Sequence, residues 1–174
     1  MRDDSRAVDA LLAQASEARA RLDDRLAEAS NADDVAWMLC EFAGRELQLV
    51  DCVVYLATRD ERTFAQRAAW GAKRVAERLF DAPIRLGIAE GVVGTCALVG
   101  APQLVPDTRL DPRYVLDDAQ RLSELAVPLR SGDRVLGVID CEHPASDHFD
   151  SRHVRALLLI AEAGVLRLES LPAV

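Results

Sequence analysis

The sequence predicts an α+β fold. The expected architecture is a central antiparallel sheet of about six strands, with the N- and C-terminal helices on one face. Loops and a short helix cover the other face and form a pocket. Three observations carry this. Two hairpin patterns flank the middle of the chain, an amphipathic helical pattern stands near each end, and the stretch between holds only short elements and one long polar loop.

The elements follow in order. Residues 1–29 are rich in Ala, Arg, Asp and Glu and lack Gly and Pro. Val8, Leu11, Leu12, Leu22 and Leu26, with Ala15 and Ala18 between, recur at steps of three and four and define one helix face. This narrow seam is expected to pack on a partner helix, either in its own domain or in a second copy that it helps to dimerise. Ser30-Asn31-Ala32-Asp33 is a cap for a second helix to about Leu47, with Val35, Met38, Leu39 and Phe42 inward. Leu49–Ala57 reads as a strand, Thr58–Arg62 as a polar turn, and Phe64–Trp70 as the antiparallel return strand, ended by Gly71. The mixed segment Ala72–Ala82 is expected to hold a short helix. Pro83–Leu86 is a short strand, Gly87–Gly91 a turn, and Val92–Val99 a short helix closed by Gly100. Gln103–Val105 is a strand stopped by Pro106, and Asp107–Arg121 a polar loop with room for a helical turn. Glu124–Leu129 and Arg134–Asp140 are strands around Ser131-Gly132-Asp133, with Pro128 suited to an edge or bulge. Phe149-Asp150-Ser151 caps a last helix to about Ser170.

Composition narrows the function classes. The chain of 174 residues is one domain's worth, and half of them are hydrophobic, enough for a compact core. The formal net charge of -8 argues against binding nucleic acid or anionic lipid, both polyanions. Lys73 is the single lysine among scattered arginines, and no basic stripe forms. The N-terminus does not read as a secretion signal and no apolar run approaches a membrane span, so the expected location is the cytoplasm. Cys40, Cys52, Cys96 and Cys141 lie far apart without a CxxC, which reads as buried free thiols.

Five blocks then stand in a fixed order. They are Leu86–Gly94, with glycines at 87, 91 and 94; Val105–Tyr114, containing Asp107, Asp111, Pro112 and Arg113; Ser123–Leu129; Gly137–Asp140; and Phe149-Asp150. In order and spacing these resemble the GAF family, over roughly residues 30–170. The resemblance implies the profilin-like GAF fold and a regulatory domain that binds a small molecule in signal transduction. Signalling would pass through a homodimer or a protein partner.

One enzymatic branch, the free methionine-R-sulfoxide reductases, is similar around Gly91–Gly94 and Tyr114–Asp117. Where those enzymes carry cysteines, this sequence has Val93 and Leu116. Glu124 and Asp140 match carboxylates that contact substrate there. The resemblance therefore implies pocket acids without the nucleophile, and no catalytic residue is assigned. A redox protein using Cys96 or Cys52 is the alternative. So is a cyclic-nucleotide regulator, although of that branch's Asn-Lys-Phe-Asp-Glu signature only Phe149 is clear. No bilin cysteine or haem histidine has a counterpart, so no cofactor is expected. His143, His148 and His153 near Cys141 fit no standard zinc spacing.

The expected ligand site lies between the sheet and the loop Val105–Arg121. Trp70, Phe80, Val92 and Val93 are expected to give apolar walls, with Tyr114 and Leu116 on the loop. Glu124 and Asp140 would fix a cationic or hydrogen-bonding group. The ligand itself is not named by the sequence.

Overall fold

The structure, a computed structural model, describes residues 17–117 and 119–172. The first half of the expected N-terminal seam, Val8 to Ala15, lies outside them. Helix α1 (17–27) is followed by α2 (Ala32–Glu46), β1 (Asp51–Ala57) and β2 (Thr63–Trp70). Next come β3 (Arg74–Ala76), β4 (Leu79–Phe80), β5 (Arg85–Gly87), α3 (Gly91–Val99) and β6 (Gln103–Val105). A 3-10 turn (Thr108–Leu110) leads through the long loop to β7 (Ser123–Ser131), β8 (Arg134–His143) and α4 (Ser151–Ser170).

Six strands form one sheet in the order β5-β2-β1-β8-β7-β6, antiparallel at every pairing. The α+β reading of the sequence holds. Strand alternation sorts the side chains into two cores. Cys52, Val54 and Leu56 of β1, Leu125, Val127 and Leu129 of β7, and Ile139 and Cys141 of β8 join α1, α2 and α4 on one face. Val53, Tyr55, Ala126 and Val138 face α3 on the other.

Local chemistry sets the helix ends. The Asn31 side chain accepts from the Asp34 N–H, and Asp34 Oδ2 accepts from the Ser30 N–H at 2.9 Å, so each group satisfies an otherwise orphaned donor. Asp150 caps α4 through the N–H groups of Arg152 and His153. Gly100, in the left-handed region at φ 65°, closes α3. Leu22 and Leu26 of α1 are buried against this same domain, so the described half of the seam is used inside the molecule.

The segment 72–82 departs from expectation. It forms the small ribbon β3–β4 instead of a short helix. Arg78 turns the chain at φ 53°, which no helix interior allows. Arg74 is drawn out to Glu41 at 2.9 Å and lies over the Trp37 ring. Pro128 sits in β7 beyond the end of β6, so its missing N–H faces an open edge. Among the described residues no helix is long and apolar enough to cross a membrane.

Candidate functional site

The site grows out of strand parity. Because Val53 and Tyr55 face α3, Asp51 does so too, and the same rule turns Glu124 of β7 and Asp140 and Glu142 of β8 that way. Register then lines them up: Glu142 lies opposite Asp51 on one side and opposite Glu124 on the other. Asp140 lies two residues along, between Val53 and Ala126. Like charges in adjacent strand positions are destabilising, so this row of acids is held at a cost to the fold.

Two cations offset part of it. Buried Arg121 donates to Asp51 Oδ2 at 2.7 Å. Lys73, also buried, donates to Gln66 Oε1 at 2.6 Å and to Asp117 of the loop. Gln66 Nε2 reaches both the Tyr55 hydroxyl at 2.8 Å and Asp117 at 2.6 Å. Lys73 and Gln66 thus latch the loop to the sheet. Tyr114 sits above Glu142, and its hydroxyl accepts from the Arg121 N–H at 3.1 Å.

The roof is α3 and the loop. Val92 and Val93 come from the first turn of α3, and Val115 and Asp117 from the loop. Gly94 lets α3 approach closely, since a Cβ there would stand 2.2 Å from the Gly87 carbonyl oxygen. The space left between roof and floor is about 20 Å³, room for one water. The cleft as it stands is too narrow to hold anything much larger.

Two carboxylate oxygens in it stand out. Glu124 and Asp140 are 4% and 7% exposed and lie within hydrogen-bonding reach of each other, and no other group satisfies Glu124 Oε2 or Asp140 Oδ1. An unpaired buried charge is costly, so such groups neutralise. Burial, then the charge of Glu142, pushes Glu124 up to about 8. Burial, then Glu124, pushes Asp140 well up. Burial, then Asp140 and Asp51, takes Glu142 to about 9. At neutral pH the Glu124–Asp140 pair holds a proton.

The expected site residues divide. Val92, Val93, Glu124 and Asp140 come together in the cleft. Tyr114 borders it through Glu142. Trp70 does not reach it: β1 skips Arg67 when it pairs with β2, and this bulge reverses the parity of the strand beyond it. Trp70 instead covers Gly44 under α2 and donates to the Leu49 carbonyl at 2.9 Å. Phe80 does not line the cleft: the β3–β4 ribbon carries it edge-on against Trp37 at 5.9 Å, where it packs at the margin of both cores. Leu116 is 61% exposed on the outer side of the loop, while its neighbours Val115 and Asp117 turn inward. Sequence reasoning missed Asp51, Glu142, Tyr55, Lys73 and Asp117. Strand parity signals the first three; nothing local signals the pairing of Lys73 with Asp117.

The four cysteines are buried. Among the described residues none lines the cleft. Cys96, behind Val92 and Val93, is pushed far up by burial and by Asp140, so it stays a neutral thiol.

Known proteins show the same architecture. The free methionine-R-sulfoxide reductase of Saccharomyces cerevisiae is 36% identical over 72 residues, 39% of this chain and 40% of that protein. The chain spans half or less of the length of the curated relatives it matches. The solved reductase of Neisseria meningitidis, in complex with its substrate, superposes with a TM-score of 0.75 at 20% identity, covering 90% of this chain and 89% of that one. The GAF domain of an Acinetobacter phosphoenolpyruvate-protein phosphotransferase also gives 0.75, at 14% identity, covering 88% and 91%. At these identities the structural likeness establishes the fold alone. The family model for the GAF domain matches residues 29–168, and the chain belongs to that family.

Proposed function

We propose that this chain is a non-catalytic GAF sensor domain that binds a small cationic molecule in the acidic cleft. The pair Glu124–Asp140 carries the reading, since two buried carboxyls, each with an oxygen that only the other reaches, offer a donor-rich, positively charged group the place a proton now holds. Binding lifts the loop 113–122 off its Lys73 latch, and the loop's position reports occupancy to a protein partner or a second copy. A cyclic nucleotide is disfavoured, because its phosphate would face Asp51, Glu124, Asp140 and Glu142 together.

The likeness to the yeast reductase favours a second reading, a redox protein of the same fold. It would need a thiolate at the cleft, where Val93 stands in the wall and Leu116 on the loop. Alkylation of the native protein separates the two: the sensor expects four slow thiols, the redox protein one fast thiol. Native mass spectrometry of freshly purified chain tests the sensor directly. A bound small molecule in the wild type that is lost in Glu124→Gln supports it, and an adduct kept in that variant contradicts it.

A further inference from the structure

Lys73 and Arg74 are neighbours in sequence that serve opposite faces of the sheet. Lys73 lines the cleft, where it donates to Gln66 Oε1 at 2.6 Å and pairs with Asp117 of the loop. Arg74 reaches α2, with its guanidinium 5.5 Å from the centre of the Trp37 ring and 2.9 Å from Glu41 Oε1. Phe80, opposite Arg74 across the β3–β4 ribbon, packs on the same Trp37, and Arg78 at the ribbon's turn pairs with Asp34. The Asp81 N–H donates to the Lys73 carbonyl at 3.1 Å and closes the ribbon behind these residues. The ribbon joins β2 to β5, the last two strands at one edge of the sheet. It is a strap around that edge, tied to the cleft loop through Lys73 and to α2 through Arg74, Arg78 and Phe80.

The strap has two states because Lys73 is buried. Its side chain is 3% exposed, and Asp117 is its one charged partner among the described residues. A buried ammonium stripped of its counter-charge is strongly disfavoured, and the bond to the neutral Gln66 does not offset that. When Asp117 departs, Lys73 leaves the interior for water. The backbone at 73 moves with it. Arg74, the next residue, and Phe80, directly across the ribbon, are then drawn off Trp37. Packed contacts of this kind switch between arrangements and do not deform continuously. Resting on the reading that occupancy of the cleft lifts the loop, we infer that the β3–β4 ribbon relays the state of the loop to α2 on the opposite face. Lys73 is the group that converts loop position into ribbon position.

The test uses the full chain without ligand, so the relay can fail while the cleft reading stands. The chain has two tryptophans, and each indole N–H gives its own signal in a nitrogen–proton spectrum. Trp70, which donates to the Leu49 carbonyl, is the internal reference for Trp37. Asp117→Asn removes the counter-charge of Lys73 and should move the Trp37 signal while Trp70 stays in place. Lys73→Met also releases the loop but leaves an apolar side chain that remains buried. Amide exchange at 113–117 should rise in it while Trp37 keeps its wild-type position. The double variant, Asp117→Asn with Lys73→Met, should return Trp37 to that position. From the other face, Phe80→Ala loosens the strap from α2 and should raise exchange at 113–117 at least ~5-fold, the lower end of coupling between linked sites. A Trp37 signal indifferent to Asp117→Asn overturns the inference. So does one that moves equally in both single variants, which marks general loosening, or loop exchange unchanged by Phe80→Ala. If the variants behave as stated and no amine binds the chain, the relay stands and the cationic ligand falls.

Discussion

The two faces of the sheet are built on opposite principles. Beneath α2 and α4 the strands present Val54, Leu125, Val127, Ile139 and Leu129, all fully buried in close apolar packing. Beneath α3 and the loop the same strands present Asp51, Glu124, Asp140 and Glu142, held by two cations and a proton. Alternation along one strand separates a face that earns stability from a face that loses it. Sites of stored electrostatic cost at otherwise well-packed folds are where function is usually found.

Substitutions should break this contrast in opposite directions. The largest effect belongs to the helix face: Leu39→Ala, behind Gly164, should cost roughly 2–5 kcal/mol by denaturant titration. On the other face, Lys73→Met removes the latch and leaves Asp117 facing the cleft acids. It should lower stability by about 1–3 kcal/mol and raise amide exchange in 113–122 while β7 stays protected. Glu124→Gln reverses the sign. It relieves a buried acid and should stabilise the ligand-free protein by about 1–3 kcal/mol at pH 8.

The pH dependence follows from the same groups. Glu124 and Glu142 have folded pKa values raised to about 8 and about 9, above those of the unfolded chain. The folded state therefore binds their protons more tightly, and the stability they contribute is complete below the ordinary carboxylate range. It is lost as pH rises through 8 to 9. Thermal melts should move down between pH 5 and 9 in wild type and flatten in the double variant Glu124→Gln with Glu142→Gln. The smallest effect is at Leu116→Ser, outside the cleft, where a change within ~0.5 kcal/mol is expected.

The sequence made the helix face far more legible than the site. Hydrophobic periodicity found α2, α4, both hairpins and α3, and paired strands found the sheet, because burial of a regular face leaves a regular trace. Glu124 and Asp140 were found through family likeness, and strand alternation from Asp140 would have added Glu142. Trp70 was misplaced because a bulge at Arg67 leaves no local signal yet reverses every later side chain of the strand. Phe80 and Lys73 lie in the short ribbon 72–82, whose conformation follows from Arg74 reaching Glu41 and Lys73 reaching Asp117, both distant in sequence.

The claim that a cation can replace the proton between Glu124 and Asp140 is tested most directly by thermal shift at pH 8. The full chain is heated with a panel of small primary amines and amino acids, beside Glu124→Gln. The account predicts that at least one compound raises the wild-type Tm, more strongly at pH 8 than at pH 6, and leaves the variant unmoved. No shift with any amine, or an equal shift in the variant, would contradict it.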